Sequence, residues 1–132
     1  MTLERINPEG MLQSSAFSQA IAVDPGMRLL FIGGQDGVDA EGKVVADDLA
    51  GQTRQILRNM RLIMETAGGK LEDIFKWTIF IVEGQDPRAG FGVFQEEWDR
   101  AAPPPIVTAA FVAGLGVPGA LVEIEAVAAI PA

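Results

Sequence analysis

The segment from Ile74 to Val82, IFKWTIFIV, limits the possible folds more than any other part of the chain. Side chains alternate between the two faces of a β-strand, and here both sets are largely apolar. One set is Phe75, Trp77, Ile79 and Ile81, and the other contains Ile74, Phe80 and Val82. Because a strand of this kind must be covered on both faces, the segment predicts cover above and below the sheet.

The other segments alternate between strand-like and helix-like patterns. We predict strands at Leu3–Ile6, Ala16–Val23, Leu29–Gly33, Ile106–Ala113 and Leu121–Ile130, and helices at Asp47–Ala67 and Ala89–Arg100. The order is β, β, β, helix, β, helix, β, β, which is typical of an α+β protein. Two helices can cover one sheet face, and we expect other copies of the chain to cover the second face in a symmetric oligomer.

Two turns rich in Gly and Pro predict strand pairing. Asp24-Pro25-Gly26 would join the second and third strands as a hairpin. The segment 114–119, GLGVPG, would join the last two strands as a hairpin or a closely related strand pair. The last strand would then carry Glu123 and Glu125 on one face and a wholly apolar set on the other.

The longer helix has the clearest pattern. Its apolar positions recur at three- and four-residue steps, from Leu49 through Ile56 to Met64. Asp47 or Asp48 can cap its start, and Gly68-Gly69 supplies the left-handed residue that ends it.

The composition excludes several functions. At 132 residues the chain should form a single domain spanning residues 1–132. It has no Cys and no His, so thiolate and imidazole nucleophiles, a Ser-His-Asp triad and an ordinary zinc site are excluded. We expect no metal and no other cofactor, and proton chemistry would have to use carboxylates, Lys, backbone or water.

Charge and hydropathy bear on partners and location. The net charge of −8, with scattered basic residues, argues against a nucleic acid partner. No apolar run approaches the roughly 20 residues that span a bilayer, and the start of the chain lacks a signal-peptide pattern. We therefore expect a soluble, cytoplasmic protein without a membrane partner.

Glu123 and Glu125 are the first candidates for chemistry. They lie two residues apart on one strand face, with about 6–7 Å between their α-carbons. Carboxylates this close can raise the pKa of one of them and so provide an acid and a base. The alternative is a solvated strand edge with two unrelated acids.

Two other groups could line a ligand site. Gly33-Gly34-Gln35 ends a predicted strand, and it could form a turn, a bulge or the floor of a site that offers amide donors. The aromatic residues Phe17, Phe91, Phe94 and Trp98 could line a cleft or belong to the core. Helical spacing favours the core for Phe94 and Trp98.

Five short motifs in order resemble the RidA/YjgF family, the reactive intermediate deaminases, also called endoribonuclease L-PSP-like proteins. They are Phe17-Ser18-Gln19-Ala20, Gly33-Gly34-Gln35, the stretch GQTRQILRNM at 51–60, the segment from Asp73 to Phe80, and Val122-Glu123-Ile124-Glu125-Ala126. The resemblance covers nearly the whole chain.

The resemblance implies a chorismate-mutase-like α+β protomer with a mixed, mainly antiparallel sheet and two helices on one face. It also implies a homotrimer whose sheets line a central barrel, with small-molecule clefts between subunits. In active members an arginine in a P-x-R-S segment binds the substrate carboxylate, and an acid and a bound water assist hydrolysis of an enamine or imine such as 2-aminoacrylate. The cleft acid corresponds to Glu123 here.

This chain departs from the family pattern at the arginine. Pro105-Ile106-Val107-Thr108 occupies the P-x-R-S segment, so Val107 stands where the arginine would be. Loss of such a charge-assisted contact costs about 1.5–3 kcal/mol, roughly 10- to 200-fold in binding. The family's helix-borne Asn falls on Phe91, and its two tyrosines fall on Phe17 and Phe94, so the predicted cleft is more apolar.

These observations lead to three hypotheses. The first is a homotrimer that binds a small, largely apolar metabolite in its intersubunit clefts without the usual 2-aminoacrylate or 2-imino acid deaminase activity. Its ligand-binding residues would be Phe17, Gly33, Gly34, Gln35, Phe91, Val107, Thr108 and Glu123, with Glu123 as acid, base or water-orienting group. The second is a deaminase for neutral or aromatic imines, and the third is a non-enzymatic interaction or chaperone-like protein. Ribonuclease activity is disfavoured by the charge and the missing His.

Overall fold

A computed structural model describes residues 2–132. Its elements are β1 (Leu3–Ile6), β2 (Ala20–Val23), β3 (Met27–Asp36), α1 (Leu49–Ala67), a short 3₁₀ turn (Leu71–Asp73), β4 (Ile74–Val82), α2 (Pro87–Glu97), β5 (Ile106–Val112) and β6 (Val122–Pro131). The predicted order of strands and helices is confirmed. No helix within residues 2–132 is long and apolar enough to cross a membrane.

The main sheet has four strands in the order β3-β6-β4-β5. β6 is antiparallel to both β3 and β4, whereas β4 and β5 are parallel. β4 is therefore an interior strand that pairs with a neighbour on each edge. β1 and β2 form a separate antiparallel pair.

Both predicted hairpins are wrong. β5 and β6 are not neighbours, because β4 lies between them and pairs with each. β4 and β6, most of whose residues are buried or half-buried, take the interior positions, and the mostly exposed β5 takes an edge. The segment 113–121 is long enough to cross over β4, so a Gly/Pro turn there does not have to close a hairpin.

The second hairpin fails because β2 and β3 belong to different sheets. β2 pairs with β1, and the Asp24 carboxylate accepts a hydrogen bond of 2.8 Å from the Thr2 N–H beside that pair. β3 also runs further than predicted, through Gly33 and Gly34 to Asp36, with a register shift between Ile32 and Gln35. The two glycines thus form a bulge inside a strand, one of the outcomes considered for them.

The core lies between the two helices and one face of the main sheet. From β6 it receives Val122, Ile124, Ala126, Ala128 and Ile130, the apolar set predicted from the alternation. From α1 it receives Leu49, Ile56, Leu57, Met60 and Met64. The Asp48 side chain caps α1 by accepting from the Gly51 N–H, and Gly68 ends it at φ 89°.

No helix within residues 2–132 lies over the opposite face of the sheet. Phe31 on β3 is 78 % exposed and Leu29 is 45 % exposed, although both are large apolar side chains. This is the face that the sequence predicts to be covered by other copies of the chain.

α2 begins and ends slightly earlier than the sequence pattern predicts. Asp86 caps it and Pro87 occupies the first turn, so the helix starts before Ala89. It ends at Glu97. The Trp98 N–H donates to the Phe94 carbonyl, and the backbone of Trp98 is extended. Phe94 and Trp98 pack against the core, as predicted, whereas Phe91 is 47 % exposed.

Candidate functional site

Two carboxylates meet on the helix-free face of the sheet. Glu123 on β6 lies directly opposite Asp36 on β3, and on its other side it lies opposite Phe80 on β4. Residues directly opposite each other in an antiparallel pair project from the same face. Both carboxylates are half-buried, whereas Glu125, which lies opposite Thr78, is exposed.

The Glu123 side chain lies against the backbone of Gly34. A Cβ added at Gly34 would be 2.9 Å from Oε2 of Glu123 and 3.0 Å from its Cδ. Neither Gly33 nor Gly34 has a positive φ, so at this position glycine provides space and not a special backbone angle. The structure thus brings two of the predicted site residues, Gly34 and Glu123, into contact.

The environment of Glu123 raises its pKa. Burial contributes most, followed by the charge of Asp36, a hydrogen bond with the Asp36 side chain and the charge of Glu125. Burial and a neighbouring carboxylate both disfavour the charged form of Glu123, so this side chain keeps its proton to a higher pH than an isolated glutamate does. The arrangement gives Glu123 the protonation behaviour of a general acid.

Asp36 is the functional candidate that the sequence interpretation missed. Glu125 was considered as a possible partner of Glu123, and its charge is the smallest of the contributions to the raised pKa of Glu123. Finding Asp36 from sequence would have required the correct pairing of β3 with β6.

No group of three acidic side chains within residues 2–132 is arranged to hold a metal ion.

Val107 lies on the other side of the sheet, beneath α2. In the parallel pair it lies beside Trp77, which in turn lies opposite Ala126 of the core face. Two clefts meet here, with volumes of about 440 and 330 Å³. Both are lined by Ile79, Phe91, Phe94 and Val107.

The larger cleft is bordered by a cluster of aromatic rings. Trp77 contacts Phe94 edge-to-face with ring centroids 5.1 Å apart, and it contacts Trp98 at 6.5 Å. The other lining residues of the larger cleft are Ser15, Ala16, Gln95, Arg100, Ala102, Pro104 and Pro105. An apolar wall with a few polar groups at its rim is typical of small-molecule sites.

The segment around Phe17 is attached to the same region. Ser18 is buried, its N–H donates to the Pro105 carbonyl at 2.8 Å, and its Oγ donates to the Pro104 carbonyl at 2.7 Å. These bonds hold residues 15 and 16 beside the cleft, while Phe17 itself does not line it.

The remaining predicted residues do not join the larger cleft. Thr108 is exposed and lies beside Thr78 on the helix-free face. Gln35 donates from Nε2 to the Gly33 carbonyl at 3.1 Å, so its amide is engaged within the bulge.

The predicted site residues therefore divide between the two faces of the sheet. Phe91 and Val107 border the clefts beneath α2, whereas Gly34 and Glu123 lie on the helix-free face with Thr108. In one protomer, a small ligand that touches Val107 cannot also touch Glu123.

Comparison with known proteins identifies the family. The family model described as Endoribonuclease L-PSP matches residues 10–130, nearly the whole chain. The chain is a RidA/YjgF family protein. A RutC family protein of Pyrococcus horikoshii is 35 % identical to it over 113 residues, which cover 85 % of each chain. A human protein named 2-iminobutanoate/2-iminopropanoate deaminase is 30 % identical over 113 residues, 85 % of this chain and 78 % of the human one.

Solved structures agree with this assignment. The RidA/YjgF protein superposes on the Rid family protein YyfB of Yersinia pestis with a TM-score of 0.83 and 31 % identity, over 98 % of this chain and 100 % of the other. It superposes on E. coli TdcF, solved with bound serine, with a TM-score of 0.69 and 33 % identity, over 80 % and 83 % of the two chains. Its fold is the chorismate-mutase-like α+β fold that the sequence motifs imply.

Proposed function

We propose that the protein is a homotrimer that binds a small metabolite with a largely apolar body in clefts between protomers, without the usual 2-aminoacrylate or 2-imino acid deaminase activity. The observation that carries the proposal is the position of Val107. It borders both clefts beneath α2, at the place where the family motif has a carboxylate-binding arginine. The cytoplasmic location remains the prediction made from the sequence.

Assembly is supported by the uncovered face of the sheet. Phe31 and Leu29 expose large apolar side chains there, and burying such surface against another copy is favourable at about 25 cal/mol per Å². Assembly also supplies what one protomer lacks, because Val107 and Glu123 project from opposite faces of the sheet. A cleft between two protomers can be bordered by Val107 from one and Glu123 from the next.

The lack of deaminase activity is supported by the chemistry of Val107. A guanidinium offers a carboxylate two parallel charge-assisted hydrogen bonds, and an isopropyl group offers none. Small imino acids such as 2-iminopropanoate have little apolar surface to compensate for that loss. We therefore expect their binding and turnover to be weak.

A second function is favoured by the Asp36–Glu123 pair. A carboxyl group with a raised pKa can protonate the imine nitrogen, and its carboxylate can then orient the water that adds to the imine carbon before ammonia or an amine leaves. With the small imino acids disfavoured, its substrate would be a neutral or aromatic imine or enamine. Glu123 would then be the catalytic acid, and the Glu123→Gln variant should lose the activity.

Turnover measurements test the proposal. The imines are generated in the assay by an amino acid-deaminating enzyme, and the human relative named 2-iminobutanoate/2-iminopropanoate deaminase serves as the positive control. We expect no acceleration of 2-iminopropanoate hydrolysis by this protein. Val107→Arg should increase that rate, whereas Leu62→Arg, which adds the same charge on the exposed side of α1, should not. Wild-type turnover equal to that of the human relative would refute the proposal.

Sedimentation tests the assembly. We expect a species of three times the 14.0 kDa protomer mass at micromolar concentration. Phe31→Glu should dissociate it, because a charge would be buried in the interface, and Leu62→Glu on the exposed side of α1 should not. A monomeric wild-type protein would contradict the trimer.

A further inference from the structure

We propose that Gln52 is a positioning residue that holds Asp36 opposite Glu123. The inference rests on the proposed imine chemistry, in which Glu123 is the catalytic acid. It also gives a role to the stretch GQTRQILRNM at 51–60, whose buried and half-buried amide side chains reach from α1 to backbone groups in other segments.

The side chain of Gln52 is fully buried, and each of its polar atoms is bonded to the backbone of another segment. Nε2 donates to the Ala46 carbonyl at 2.9 Å and to the Gly119 carbonyl at 3.0 Å. Oε1 accepts from the Leu121 N–H at 2.7 Å. Because only an amide offers two N–H donors and an acceptor in this arrangement, one glutamine ties the loop after β3 to the segment before β6.

The bond to Leu121 fixes the start of β6. Leu121 lies two residues before Glu123, and its carbonyl accepts from the Val82 N–H at the end of β4 at 2.9 Å. Both backbone groups of Leu121 are therefore bonded, one to Gln52 and one to β4. A slip of one residue here would turn Glu123 to the other face of the sheet, so this anchor supports its orientation.

The end of β3 is held against the same residue. Gly37 follows Asp36 directly, and a Cβ added at Gly37 would be 2.8 Å from Cα and from the carbonyl oxygen of Gln52. The Gly37 carbonyl accepts from the Val45 N–H at 3.0 Å, and the next residue, Ala46, accepts from the Gln52 side chain. The loop after β3 thus begins and ends at Gln52, which fixes the position of Asp36.

Asn59, two turns further along α1, provides a second and weaker anchor for the same loop. Its Nδ2 donates to the Val38 carbonyl at 3.1 Å, and its Oδ1 accepts from Nε2 of Gln55 at 3.0 Å. Val38 lies two residues after Asp36, and its N–H donates to the Asp36 carbonyl at 2.8 Å. Loss of this contact should disturb Asp36 less than loss of the three bonds of Gln52.

Few charged groups share the face on which Glu123 lies. Asp36 faces it from β3, and Glu125 lies two residues along its own strand. β4 contributes Lys76, whose Nζ donates to Oγ1 of Thr78 at 3.0 Å, and β5 has no ionisable side chain. Because Asp36 provides both a charge and a hydrogen bond that raise the pKa of Glu123, its placement governs the protonation of Glu123 more than that of Glu125 does.

A carbon-13 NMR titration of the Glu123 carboxyl group in the full chain tests the inference without a substrate. Gln52→Met keeps the length of the side chain and removes its three hydrogen bonds. We expect it to lower the pKa of Glu123 toward the ordinary value of 4.5, because Asp36 leaves its place and water reaches the site. In an Asp36→Asn background, the same substitution should have little further effect.

Two other variants separate positioning from general loss of stability. Met64→Ala opens a cavity in the core at the other end of α1, about 18 Å along the helix axis from Gln52, and should leave the pKa of Glu123 unchanged. Asn59→Ala should lower that pKa by less than Gln52→Met does. If Gln52→Met does not fold, Asn59→Ala decides the question.

The outcomes keep this inference apart from the proposed function. A Glu123 titration that neither Gln52→Met nor Asn59→Ala alters would overturn the role of Gln52, and so would an equal change in Met64→Ala. A wild-type Glu123 that titrates at its ordinary value would also overturn it, since Asp36 would then not be held beside it. If the wild-type protein hydrolyses no neutral imine, the proposed chemistry fails, whereas the titration still decides whether Gln52 positions the pair.

Discussion

The contact between Gly34 and Glu123 permits a quantitative test of the site. In Gly34→Ala, the new Cβ would lie 2.9 Å from Oε2, 3.0 Å from Cδ and 3.2 Å from Cγ of Glu123. Ordinary contact begins near 3.4 Å, so the Glu123 side chain must move away from its position beside Asp36. The substitution therefore perturbs the carboxylate pair without removing either acid.

The size of the effect follows from two opposing contributions. Overpacking costs about 1–3 kcal/mol, while replacing glycine by alanine inside a strand recovers about 0.5–1 kcal/mol. We expect Gly34→Ala to lower the free energy of unfolding by about 1 kcal/mol. In a Glu123→Ala background the obstruction is gone, so the same change should stabilise by about 0.5–1 kcal/mol.

Urea unfolding of the two single variants, the double variant and the wild type measures this coupling at pH 7 and one fixed protein concentration. Gly33→Ala is the matched control, because apart from its chain neighbours no atom of residues 2–132 lies within 4 Å of its Cβ position, and its φ is not positive. It should be neutral or stabilising. Additive energies for Gly34→Ala and Glu123→Ala, within about 0.5 kcal/mol, would refute the contact.

Three further predictions follow from the carboxylates. The raised pKa of Glu123 means that its contribution to stability is full below its ordinary value of 4.5 and is lost as the pH rises through the folded-state pKa. Thermal melts from pH 4 to 8 should therefore show a smaller loss for Glu123→Gln than for wild type, with Glu125→Gln resembling wild type. Asp36→Asn should lower the pKa of Glu123 in a carbon-13 NMR titration, and an unchanged pKa would exclude the pair. Asp48→Ala should destabilise by about 1 kcal/mol through loss of the α1 cap, whereas Asp47→Ala should change the unfolding midpoint little.

The elements themselves could be predicted from sequence because their signals are local. The apolar steps and caps of Leu49–Ala67 identify α1, and the uniform apolarity of Ile74–Val82 identifies β4 with its observed bounds. The alternation in β6 also gave the correct core face. In each case the residues that form the pattern are close together in the sequence, within one or two helical turns or a few positions of one strand.

Strand pairing could not be predicted in this way. The turns at residues 24–26 and 114–119 suit a hairpin, but they also suit a change of sheet or a crossover. Which one forms depends on the competition among strands for the interior of the sheet. In the structure β6 lies between β3 and β4 and pairs with both along its edges, while its apolar face packs in the core beneath the helices.

The site was predictable only in part for the same reason. The family motifs and the alternation pointed to Glu123 and Gly34, which the structure brings into contact. Asp36 depends on the β3–β6 register, and the cleft beneath α2 depends on how Trp77 and Trp98 pack. Both are long-range consequences of the topology.

The placement of Val107 and Glu123 on opposite sides of one sheet has a genetic consequence in the proposed trimer. Each binding site would draw one wall from each of two chains, so a chain damaged at only one wall still carries a sound copy of the other. Co-expressing chains altered beneath α2 with chains altered beside Asp36 would produce some interfaces in which both damaged walls coincide and others in which both sound walls meet. Partial complementation between two individually defective alleles is therefore expected, and alleles damaged at the same wall should not rescue each other.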